Sequence, residues 1–91
     1  MSSQAIVNPE DLERFARELK QFNAQLRDST SRLQGEFHRL GDTWRDQEHY
    51  KFAQEFEQTM RVIHRFLQVA DQHIPFLLRK AQRVREYLQQ R

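Results

Sequence analysis

Four histidines, His38, His49, His64 and His73, are the side chains here whose chemistry invites a metal ion. None has a second histidine three or four positions further on, and neither His-Glu-x-x-His nor a comparable ligand spacing occurs. His38 and His49 flank a break around Gly41–Asp46, with Asp42, Asp46 and Glu48 nearby, and read as solvent-exposed turn histidines. No metal and no cofactor are expected. The chain has no cysteine, which excludes disulfides, thiolate metal sites and cysteine nucleophiles. Its carboxylates alternate with arginines at helical spacing, as in Glu57 with Arg61 and Glu10 with Arg14. Such i,i+4 pairs stabilise an exposed helix surface by roughly 0.2–0.5 kcal/mol each and make no acid–base dyad. Gly35 and Gly41 are the only glycines, so no glycine-rich phosphate loop exists. The residue types and their spacing point away from an enzyme.

Charge offers a different chemistry. Between Arg79 and Arg91 lie Arg79, Lys80, Arg83, Arg85 and Arg91 against Glu86 alone. On a helix such a tail can contact phosphates or an anionic lipid surface. The net charge is only +2 and Tyr87 is the sole aromatic among these cations, which disfavours nucleic acid as the main partner. Arg79, Lys80, Arg83 and Arg85 are read first as a solvated or dimer-bridging face. The alternative function is a cytoplasmic helical adaptor that binds nucleic acid or an acidic protein through this basic C-terminal helix.

The elements that position these residues are helical. Asn8-Pro9-Glu10-Asp11 starts a helix: Asn8 caps, Pro9 suits the first helical position, and the carboxylates favour the positive end of the dipole. Leu12, Phe15, Leu19, Phe22, Leu26, Leu33, Phe37 and Leu40 then step by three and four, with Ser29 in the one missing position. Asp46 is a plausible cap for a second segment, whose seam runs through Phe52, Phe56, Met60, Ile63, Leu67, Ala70, Ile74, Leu77, Ala81, Val84 and Leu88. Pro75 falls inside that run, in phase on both sides, and predicts a kinked but continuous helix. The expectation is an all-α, single-domain chain over residues 1–91, an antiparallel helix-turn-helix hairpin with helix 9–40, turn 41–46 and helix 47–90. Folding about Trp44 sets Leu12 near Leu77 and leaves the last dozen residues overhanging. A second apolar line on helix two, Val62, Phe66, Val69 and Phe76, implies packing on two sides. These four are the expected interface for a homodimer or heterodimer, closing a four-helix bundle. No apolar run reaches 18 residues, so no membrane span is expected, and Met1–Val7 is too short and polar for a secretory signal peptide.

Two long amphipathic helices about a central tryptophan turn, in a chain just under a hundred residues, resemble the WXG100 (ESAT-6-like) proteins. The pointed part is Leu40-Gly41-Asp42-Thr43-Trp44-Arg45-Asp46, followed by Phe52 and Phe56, with Gly41, Trp44 and Asp46 as the turn motif. The resemblance implies a non-enzymatic bacterial hairpin that dimerises with itself or a related small helical protein. It further implies a substrate or partner of type VII (ESX-like) secretion, a secretion ATPase as a partner, and export without a cleavable signal peptide. Asp46 stands where the family's Trp-x-Gly has glycine, and as a cap it preserves the turn. The family's C-terminal signal is similar to Tyr-x-x-x-Asp/Glu, whereas Tyr87 is followed by Arg91 and Tyr50 by Gln54. That departure leaves the signal to a co-exported partner.

Overall fold

The computed structural model describes residues 7–90. Two helices account for nearly all of them: α1, Pro9–Leu40, and α2, Gln47–Gln89. The signal-peptide expectation at the N-terminus concerns residues that lie largely outside the described ones. Asn8 caps α1 with its side chain, which accepts from the Glu10 amide at 2.8 Å and the Asp11 amide at 3.1 Å. Asp46 caps α2 in the same way, accepting from the His49 amide at 3.0 Å. Helix α2 continues through Pro75, whose ring lies exposed at the surface. An internal proline costs about 3 kcal/mol, so burial of Leu67 and Ala70 before it and Ala81 after it must hold the helix together. The two helices fold back on one another into a body of 67 × 26 × 15 Å.

The bulky line on α1 is not what closes this hairpin. The buried positions of α1 are Pro9, Ala16, Asn23 and Thr30, the last three spaced by seven residues. They face Met60, Leu67, Ala70 and Ala81, the buried residues of α2. Small side chains on α1 let the helix backbones approach, while Leu12, Leu19 and Leu26 are only half-buried beside them. Thr30 and the Asn23 amide nitrogen find partners locally or across the seam, whereas the buried Asn23 Oδ1 has none in the protein. Thr30 Oγ1 donates to the Leu26 carbonyl at 2.6 Å, and Asn23 Nδ2 donates to Asp71 at 3.1 Å.

The register also differs from simple folding about Trp44. Arg85, expected on an overhang, sits against Glu13, and Ala81 is fully buried. Val7, Asn8 and Pro9 line one cleft together with Arg85, Leu88 and Gln89. The cause lies in the turn. Gly41, Asp42, Thr43 and Trp44 keep winding after α1, their amides donating back to carbonyls between Phe37 and Leu40, with Trp44 N–H to Leu40 O at 2.9 Å. The chain therefore reverses after Trp44 rather than at it, and α1 is matched along its whole length.

Candidate functional site

The turn is an aromatic cluster built around Phe37. Its ring stacks on His49 (5.2 Å between centroids, 9° between planes) and lies 4.5 Å from Phe56 and 5.6 Å from Phe52. Trp44 meets the same His49 edge-on at 4.9 Å. His49 is thus no solvent-exposed turn histidine: both ring nitrogens are buried and make no hydrogen bond to the protein. Gly41 has right-handed backbone angles, φ −63° and ψ −16°, so it is not there for conformational freedom. It permits close approach instead, since a Cβ at this position would meet His38 O at 3.2 Å and His49 Nε2 at 3.8 Å. The Asp46 carboxyl is held below its ordinary value, chiefly by the His49 amide, with the Trp44 indole adding to the effect.

One side of the hairpin presents the apolar residues that the seam leaves out. Phe15, Phe22 and Leu33 of α1 each keep more than half of their surface exposed. On α2, Phe52, Val62, Phe66, Val69 and Phe76 are also exposed, Val62 at 63%. Phe22 and Phe66 meet edge-to-face across the helices at 6.3 Å, which ties the two rows into one face. Near the turn this face opens into a groove of about 660 Å³ whose apolar walls include Leu33, Leu40, Phe52, Phe56 and Ile63. Single exposed apolar residues are ordinary, whereas here they recur along both helices.

Ionic contacts mark the seam elsewhere. Arg27 pairs with Asp71 at 2.6 Å, and Arg85 pairs with Glu13 and, at 3.3 Å, with Glu10. Of the four tail cations, Arg79 and Arg83 are exposed and Lys80 is half-buried, but Arg85 is consumed within the hairpin. Neither helix-surface pair expected from spacing forms. Glu10 turns to Arg85 while Arg14 pairs with Asp11 at 2.9 Å, and Arg61 bonds Gln58 rather than Glu57. A second cleft, of about 630 Å³, holds His38, His49 and His64 with Asp42, Glu57 and Arg61. Among the described residues no three His, Asp or Glu side chains are placed to hold a metal ion. The buried Ala16–Asn23–Thr30 line went unread in the sequence, although a seven-residue repeat of small residues beside a leucine row was its available signal.

A family model described as "Proteins of 100 residues with WXG" matches residues 4–87, which takes in both helices and the turn. The chain belongs to the WXG100 family. Solved structures agree with the hairpin. A proline-to-alanine mutant of the secreted protein EsxB from Bacillus anthracis str. Sterne is 25% identical over 92% of this chain and 94% of that one, with a TM-score of 0.75. The wild-type EsxB of the same organism is 25% identical over 91% of this chain and 95% of that one, at a TM-score of 0.72. No curated protein matches the chain. Neither helix is long and apolar enough to cross a membrane.

Proposed function

We propose that this WXG100 hairpin is a non-enzymatic binding protein that pairs with a related small helical protein, itself or another, into a four-helix bundle. In that form it serves a type VII (ESX-like) secretion system as substrate or partner. The observation that carries the reading is the continuous exposed apolar face from Phe15, Phe22 and Leu33 to Val62, Phe66, Val69 and Phe76. A hairpin of two helices leaves such a face in water, and a second hairpin covers it. EsxB, similar in fold over nearly its whole length, is described as a secreted protein, which supports export of this chain. Export would proceed without a cleavable signal peptide, through the system's ATPase, and with the C-terminal signal supplied by a co-exported partner.

The adaptor reading is weaker. Arg85, one of its four cations, is engaged by Glu13 and Glu10, which reduces the basic surface it requires.

The test is export in the native host. The chain is expected in culture supernatant when the type VII ATPase is intact and only in cells when that ATPase is deleted. Retention in the cell in both strains would overturn the secretion reading.

A further inference from the structure

We infer that Asn23, through Asp71, sets the register in which α1 and α2 pair, and so decides which apolar face the hairpin presents. The inference concerns pairing within the chain and does not depend on the binding reading above.

Apolar packing by itself leaves the register nearly open. Leu12, Leu19, Leu26, Leu33 and Leu40 recur every seven residues along α1, and so do the buried Ala16, Asn23 and Thr30 beside them. A slide of one heptad, about 10 Å along the axis, therefore returns leucine to leucine and small residue to small residue. Helix α2 offers similar freedom, because its seam keeps a 3.5-residue period from Met60 through Leu67 to Ala81. The turn can absorb such a slide. One heptad moves the point of reversal by half as much, about one helical turn, and Gly41 to Trp44 already wind on past α1. Simple reversal at Trp44 would set Leu12 near Leu77, roughly one heptad from the observed register, in which Glu13 meets Arg85.

Polar contacts are what a slide breaks. Asn23 is the largest of the fully buried side chains among the described residues. Its Nδ2 donates to one oxygen of Asp71 at 3.1 Å, and the other oxygen accepts from Arg27 at 2.6 Å. A heptad slide in one direction brings Asp71 opposite Ala16, Asn23 opposite His64 and Glu13 opposite Leu78. The opposite slide brings Asp71 opposite Thr30, Asn23 opposite Leu78 and Arg85 opposite Lys20. Either way the buried amide parts from its carboxylate, and Glu13 parts from Arg85.

Stability does not explain the residue. Asn23 Oδ1 is buried with no partner in the protein, a cost that an apolar side chain would not carry. A buried asparagine in a helix seam fixes register while lowering stability. Register in turn decides the surface. Phe22 meets Phe66 edge-to-face at 6.3 Å and so joins the exposed rows of the two helices. One heptad away Phe22 would face Thr59 or His73, and the rows would no longer meet there.

The natural chain has no cysteine, so Gln25→Cys and Gln54→Cys can carry spin labels. Both positions are exposed, and they lie well apart along the axis, so a slide changes their separation. Excess unlabelled chain suppresses distances between molecules. Electron-spin measurements on the labelled parent, and on the parent with Arg85→Met, are expected to give one distance. Adding Asn23→Leu to Arg85→Met is expected to give a second, displaced by roughly 5 Å or more, together with a higher denaturant midpoint than Arg85→Met alone. Asn23→Ala in the same background adds no bulk and is expected to give the same second distance. A single unchanged distance with both Asn23 variants overturns the inference, because the turn and the leucines would then fix the register unaided. A second distance already present with Arg85→Met alone also overturns it, by assigning the register to Glu13 and Arg85.

Discussion

The Arg85 guanidinium donates to both carboxylate oxygens of Glu13, 72 positions earlier in the chain, and extends to Glu10 on the same helix. A planar fork against a carboxylate is the geometry in which an ion pair has most directional content. Here it joins the first turns of α1 to the last turns of α2. Arg85→Met should therefore lower Tm and speed amide exchange between residues 9 and 16, leaving the turn end unaffected. Arg85→Lys should recover the charge but not the fork, and so only part of the protection. Exchange rates unchanged at the open end would show that apolar contacts alone hold it.

Acid should loosen the same seam. Donation from Arg85 holds the Glu13 carboxyl below its ordinary value, and Arg27 with Asn23 does the same for Asp71. Both groups titrate lower when folded than when unfolded. Their contribution is thus complete above the unfolded range, about pH 4–5, and is lost as pH falls through the lower folded values. Thermal melts between pH 7 and pH 2 should show Tm falling below that range. The fall should be smaller in Glu13→Gln with Asp71→Asn.

Phe37 is the centre of the turn cluster, touching His49, Phe52 and Phe56. Phe37→Ala should cost about 2–3 kcal/mol, below the full-burial range because the ring is only half-buried. Removing it also uncovers the two His49 nitrogens. Denaturant unfolding gives the energy, and Trp44 fluorescence should shift to the red as water enters.

The two glycines should separate by substitution. An added Cβ at Gly35 would meet nothing within 4 Å, so Gly35→Ala should stabilise α1 by about 0.5–1 kcal/mol through helix propensity alone. Gly41→Ala meets the His38 carbonyl at 3.2 Å, and its gain should be smaller or absent. Equal gains at both sites, measured by chemical denaturation, would show that the turn yields freely.

Reading along the chain was most informative where the interactions are local. Asn8, Pro9 and Asp46 act within four residues of themselves, so caps and helix starts can be seen in a single stretch. The helices show in the same way, because their hydrogen bonds join positions four apart. Reading failed where two apolar stripes lie side by side on one helix. Leu12, Leu19 and Leu26 border the hairpin seam, while Phe15 and Phe22 belong to the exposed face. Both stripes read as hydrophobic, and a period cannot say which one meets α2.

By itself the sequence determined an all-α hairpin of the WXG100 kind with a tryptophan turn, because period and caps are near-neighbour properties. Only the tertiary structure decided that Ala16, Asn23 and Thr30 form the inner line, that Arg85 belongs to Glu13, and that His49 lies beneath Phe37 and Trp44. These are contacts between residues distant in the chain or turned by the loop. Their register depends on where the backbone reverses, and that was set by how far Gly41 to Trp44 go on winding before it does.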